Sequence, residues 1–213
     1  MIDTNQTLEI GSQGALTITV QERNTAGTLQ LDGGTISDQY GIQNGANVTI
    51  TGFGTINADL ISFGLYGAAM HATGGVLTIN GDLSSSVHSD IASNSTLSLQ
   101  STVDAATTVR FLDSDSGTLE LGNSTARSSF ETNGIIGNMH VNSAGAVATN
   151  VLYLADVASS SITSAMVANG NTIELFNGST MIDHFALASS VGTAVVHWVS
   201  DGRTGSNIFL STT

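Results

Sequence analysis

The sequence predicts an all-β fold: a parallel β-solenoid with coils of about 20 residues, closed by a more antiparallel C-terminal region. Two observations lead to it. The first is a recurring unit, an apolar residue, a spacer, then Ile or Leu. It occurs at Leu8/Ile10, Leu29/Leu31, Val48/Ile50, Leu77/Ile79, Leu97/Leu99, Leu119/Leu121, Leu152/Leu154 and Ile173/Leu175, at intervals of 21, 19, 29, 20, 22, 33 and 21 residues. Period-two alternation marks strands, and the Gly, Asn and Asp between the runs are turn formers. Strands this short need neighbours above and below. The second is composition: 40% hydrophobic, only 10% charged, 24 Gly, no Pro and no Cys. Without proline every backbone N–H is free for a ladder, and small polar residues at the corners stack well. A β-sandwich also repeats short strands, but the regular interval favours the solenoid.

Residues 1–156 are expected to form the coils and residues 157–213 the cap. Leu8/Ile10 and Leu16 to Val20 are two strands around a turn at Gly11 to Gly14, and residues 27–60 are the clearest coil. The two long intervals are read as coils carrying insertions. The first insertion, residues 61–75, is expected to be a loop or short helix packed on the outside of the stack. Its bulky residues Phe63, Leu65 and Tyr66 are a candidate partner-binding patch. The second falls in residues 122–156, with Phe130, Ile135, Ile136, Met139 and Val141 read as rungs. Beyond residue 157 the runs lengthen, and Asn177-Gly178 and Asp201-Gly202 look like hairpin turns. An atypical terminal coil is expected, because the end of a stack otherwise exposes an apolar face and unpaired strand edges.

Seventeen acidic residues against four arginines and no lysine give a formal charge of −13. Four scattered arginines cannot neutralise a phosphate backbone, so nucleic acid is not an expected partner, and anionic membrane surfaces are disfavoured. No stretch is long and apolar enough for a membrane span. Disulfide and thiolate chemistry are excluded without Cys. Met1 to Asn5 have neither the basic nor the apolar part of an export signal.

Thr108 to Leu112, then Asp115 to Leu121, then Phe130, Ile135 and Ile136 resemble a block common in large secreted repeat proteins of bacteria. The stretch from Gly170 to Leu175 and on to Ser200-Asp201-Gly202 resembles their terminal block. These proteins include autotransporter passengers and adhesin-like or surface-layer-like chains. The resemblance is one of texture over most of the chain. It implies a right-handed parallel β-solenoid at the cell surface or outside the cell, and carries no catalytic residues.

The densest acidic cluster is Asp113 and Asp115 with Glu120, a candidate surface calcium site. Its spacing fails the calcium-loop pattern: Gly117 stands at the fifth position and Ser124 at the twelfth. An Asx-type turn explains it more simply, and folding is expected to need no cofactor. Ser86, His88 and Asp90 are the residue types of a hydrolase triad but lack a nucleophile elbow. The five histidines lack metal-ligand spacing. Enzymes that cleave polysaccharides on β-helices use paired carboxylates or a basic residue. Asp32, Asp38, Asp59 and Asp82 are dispersed in turns, where only convergence from successive coils would pair them. The expectation is therefore a non-enzymatic structural or adhesive module outside the cell. Its partners would be itself, neighbouring repeats, glycans or a cell surface. The alternative is a polysaccharide-binding or polysaccharide-cleaving β-helix.

Overall fold

The structure, a computed structural model, describes residues 2–21, 23–62, 69–84, 86–104, 106–112, 116–147 and 149–212; for residues 23–25, 44–47, 62 and 69 only the backbone is described. The chain is a mostly parallel curled sheet forming a β-solenoid. The first strands are β1 (Thr7–Gly11), β2 (Ala15–Ile18), β3 (Arg23–Asp38), β4 (Ile42–Asn57), β5 (Leu60–Ser62) and β6 (Ala69–Ile79). There follow β7 (His88–Ile91), β8 (Ser95–Leu99), β9 (Thr107–Phe111) and β10 (Gly117–Leu121). The helix α1 (Ser124–Asn133) precedes β11 (Gly134–Gly137), β12 (Val141–Asn142) and β13 (Asn150–Leu154).

Parallel register stacks equivalent residues into rows. On one face the row is Leu8, Leu29, Ile50, Met70, Ser89, Val109 and Ile136. On a second it is Leu16, Ile36, Ile56, Ile79, Leu99, Leu121 and Leu154. A shorter third row joins Ile42, Leu60, Leu83 and Val103. Strand side chains alternate sides, so one register fixes what points inward along the whole stack. Leu29, Leu31, Val48, Ile50, Leu77, Ile79, Leu97, Leu99, Leu119 and Leu121, all expected inside, are buried.

The first long interval is not an insertion of the expected kind. Val48/Ile50 and Leu77/Ile79 stand on different faces: Ile50 pairs with Met70, 20 residues on, and Gly54 pairs with Leu77. Residues 69–75 belong to β6 rather than to a loop or helix. The apparent gap arises because the first-face row passes through Met70 and Ala72, which the Ile/Leu unit does not detect.

The second long interval is a true insertion, and it holds a helix. Asn123 caps α1, its Oδ1 accepting from the N–H groups of Thr125 (2.9 Å) and Ala126 (3.0 Å). Phe130 lies on this helix, not on a strand rung, and is fully buried with Ala126. Ile136 is an inward rung, whereas Ile135 points outward and is exposed. The helix takes the place of the next third-row rung. Ser129 Oγ accepts from Val103 N (2.9 Å), and Asn133 Nδ2 donates to Val103 O (2.6 Å). Side chains thus satisfy backbone groups that a strand would otherwise pair. Asn123→Ala is expected to lower stability by about 1–2 kcal/mol, because Asn123 Nδ2 also donates to Gln100 O (2.7 Å). Chemical denaturation would measure the loss.

After a 3-10 turn (Ser159–Ser161), the remaining strands are β14 (Ser164–Ala168), β15 (Thr172–Asn177), β16 (Thr180–Leu187), β17 (Val195–Ser200) and β18 (Ser206–Ser211). Antiparallel pairing dominates here. β14, β15 and β16 form a meander, and β17 and β18 a hairpin. Ile173/Leu175 therefore belong to the meander and are not the next coil. The end of β16 pairs parallel with β11, and β18 runs antiparallel to β13. Both main faces of the stack thus end against cap strands. At the opposite end, β1 and β2 pair only with β3 among the described residues. Leu8, inward by register, is 38% exposed, whereas Leu29 on the next coil is 3% exposed.

Candidate functional surfaces

Several polar side chains of the coils hold one coil to the next. At the turn before the third row, Asp59 and Asp82 come from successive coils. Asp59 Oδ1 accepts from Asp82 N (2.9 Å). Asp82 Oδ1 in turn accepts from Ser101 Oγ (2.5 Å) and Thr102 N (3.0 Å). The Ser101 bond, joined by Thr102, holds the Asp82 carboxyl below its ordinary pKa against the opposing effect of burial. The two acids thus meet from neighbouring coils, and each carboxylate caps the backbone of the coil above it. Beside them, Asp38, Gln39, Asn57, Asp59 and Asn80 line a shallow groove. Asp38 is buried, and its Oδ1 accepts from Tyr40 N (2.9 Å).

The second face carries an outward row Thr35, Thr55, Thr78, Ser98, Glu120 and Tyr153. Next to it, Asn57 Nδ2 donates to Ser37 Oγ (3.4 Å) and Asn80 Nδ2 to Asn57 Oδ1 (2.7 Å). Glu120, the described member of the candidate calcium cluster, accepts from Gln100 Nε2 (3.3 Å) within this surface. Asp113 and Asp115 lie outside the described residues, as do Phe63, Leu65 and Tyr66 of the candidate patch. Among the described residues no group of three His, Asp or Glu side chains is arranged to hold a metal ion. At the end of the row, Tyr153 OH donates to Asp201 Oδ2 (2.7 Å), which ties the second face to the β17–β18 turn. That bond, helped by burial, pushes the Tyr153 hydroxyl up to about 12 and draws the Asp201 carboxyl down.

On the first face, His71, Asp90 and Arg110 form another row across successive coils. Arg110 binds Asp90 in bidentate fashion, Nε to Oδ1 at 2.8 Å and Nη2 to Oδ2 at 3.0 Å. The Asp90 bond raises the Arg110 pKa. His71 Nδ1 lies 3.3 Å from Asp90 Oδ2. Asp90 is therefore held by neighbours in its own row, while His88 is exposed. His184 and His197 lie on separate hairpins, His197 stacked on Phe209 with ring centroids 5.2 Å apart.

One cluster joins distant parts of the chain, and no spacing in the sequence marks it. Arg127 of α1 donates to both oxygens of Asp156, Nε to Oδ1 at 3.1 Å and Nη2 to Oδ2 at 3.2 Å. Its Nη1 donates to Oδ1 of Asp183 on β16. Glu131, one helical turn on, accepts from the His184 N–H (2.9 Å). Asp183 is 2% exposed, and its Oδ2 has no donor among the described residues. Burial and the neighbouring Glu131 carboxyl push Asp183 up to about 7, although Arg127 pulls the other way. Burial opposes the charge of Arg127, but Asp156 and Asp183 raise its pKa overall. A buried ion pair of this kind fixes geometry, and removing one partner leaves an uncompensated charge.

Compared with known protein families, with curated proteins and with solved structures, the chain has no significant match.

Proposed function

We propose that this chain is a non-enzymatic structural or adhesive β-solenoid module that works outside the cell through its length and repeated surface. One observation carries the reading: charged and amide side chains of the coils bond along the stack, from one coil to the next. Asp59, Asp82, Asp90, Arg110, Asn57 and Asn80 each bond to the next or preceding coil. A catalytic site needs the opposite arrangement, with titratable groups free to face a substrate. A surface rich in hydroxyls and amides, on a chain of net charge −13, fits neutral partners better than nucleic acid or anionic lipid.

The same reading includes association through one end. The cap strands cover the C-terminal end of the stack, whereas β1 and β2 leave strand edges unpaired among the described residues. Such edges template pairing with a second copy or a neighbouring repeat. Leu8→Lys is expected to abolish self-association seen by analytical ultracentrifugation. Association unchanged in this variant overturns the edge part of the reading.

A second reading, polysaccharide binding or cleavage, is favoured by the groove beside Asp38 and Asp59, where carboxyls and amides face a common space. Assays of pectic, uronic-acid and neutral polymers for new reducing or unsaturated ends separate the two. No turnover is expected. Turnover abolished by Asp38→Asn or Asp59→Asn would make the protein an enzyme.

A further inference from the structure

The cluster under α1 has a charge count that its geometry does not balance. Among the described residues Arg127 is the one arginine beside three carboxyls, Asp156, Asp183 and Glu131. Asp156 takes the guanidinium through two bonds, and Asp183 takes it through one oxygen only. The second Asp183 oxygen is buried without a donor among the described residues, and Glu131 is held against this stretch of β16, its Oε1 accepting from the N–H of the next residue, His184 (2.9 Å). Two ionised carboxylates in such a site repel, whereas one proton between them turns repulsion into a hydrogen bond.

The remaining charged groups do not supply the missing donor. His184 follows Asp183 on β16 and offers its backbone N–H to Glu131, its ring Nδ1 standing 4.0 Å from Glu131 Oε1. Glu174, on β15, pairs across from His184 and adds another negative charge. β11, which pairs with the end of β16, is Gly134-Ile135-Ile136-Gly137 and contributes no charged side chain.

We propose that Asp183 and Glu131 share one proton, which latches the β15–β16 hairpin onto α1 and makes closure of the C-terminal cap sensitive to pH. The proton joins strand and helix where no covalent or metal link does among the described residues. Its loss leaves two adjacent negative charges across the α1–β16 contact and loosens the cap. Loosening uncovers the edge of β11, the last coil strand on the first face. The latch does not depend on the adhesive reading.

The docked hairpin holds a proton that the released one gives up, so docking is strongest in acid and weakens as pH rises. The window runs from the ordinary aspartate value, about 4, to about 7 in the docked state. Across it the docking equilibrium falls by up to about tenfold per pH unit.

Two measurements on the intact chain test the latch. Carbon-detected NMR of the Asp and Glu carboxyls is expected to show one carboxyl of the pair titrating near pH 7. Hydrogen exchange, expressed as protection factors, is expected to show β16 losing protection from pH 4 to 7 while β8 and β10 do not. Asp183→Asn keeps an acceptor for Arg127 and gives Glu131 an amide donor, so it is expected to remove both effects. Glu131→Gln does the same from the helix side if Asp183→Asn fails to fold. His184→Gln is expected to leave both effects in place. A pair that titrates wholly below pH 5, flat β16 protection in the parent chain, or an unchanged slope in Asp183→Asn or Glu131→Gln overturns the proposal. So does loss of the slope in His184→Gln alone.

Discussion

Gly52→Ala is expected to lower stability by at least about 3 kcal/mol, the sum of a strained backbone and a forced displacement. Gly52 has φ +109 and sits inside the stack between Leu31 and Ala72, where a Cβ would overlap the Leu31 carbonyl oxygen. That oxygen belongs to the backbone of the preceding coil, so relief requires two coils to separate. For a chain of this length the loss corresponds to a fall in Tm of roughly 6–12 °C. Gly178→Ala is the control. Gly178 also has positive φ, +61, in the β15–β16 turn, but a Cβ there meets nothing. It should cost about 1 kcal/mol, the conformational part alone. Equal losses in the two variants would mean that coil-to-coil contact at Gly52 is not limiting.

Arg127→Ala is the second large effect, about 3–5 kcal/mol at pH 8. It leaves Asp156 and Asp183 without the guanidinium that binds them, and Asp183 is buried. The variant acts on the cap rather than the coils, so β14 to β16 should lose exchange protection first. The loss should shrink toward pH 5, because the protonated Asp183 carboxyl carries no charge to strand. Adding Asp183→Asn should recover part of the stability, since the buried charge is then absent. Full additivity of the two substitutions would contradict the direct contact between these side chains.

The coils were legible because burial and alternation coincide in them. Leu97, Leu99, Leu119 and Leu121 are inward rungs in uninterrupted parallel register, and their spacing is the coil length. The assignment of units to faces was not legible. Leu77 resembles Val48 in the chain, yet they stand on different faces, because either face asks only for an apolar residue at alternate positions. The helix was obscured for a related reason. Only Ala126 and Phe130 are buried on it, and its Ser and Thr residues suit a loop as well as a capped helix. The Arg127–Asp183 pair spans 56 residues and forms only once the cap has folded back on α1. No spacing rule reaches that far. The convergence of Asp59 with Asp82 was open in the sequence, and the structure resolves it into a capping role for each carboxylate.

The direction of the hydrogen bonds has a mechanical consequence. Between coils they run along the stack, so tension on its two ends peels strands one at a time instead of shearing many together. Each released coil adds a contour length of roughly 70 Å, from about 20 residues at about 3.5 Å each. The coil between β10 and β13, with register partners Leu119 and Leu152, adds more than half as much again. A single-molecule pulling trace should therefore show a train of small, nearly equal steps interrupted by one long step, a signature of coil order along the chain.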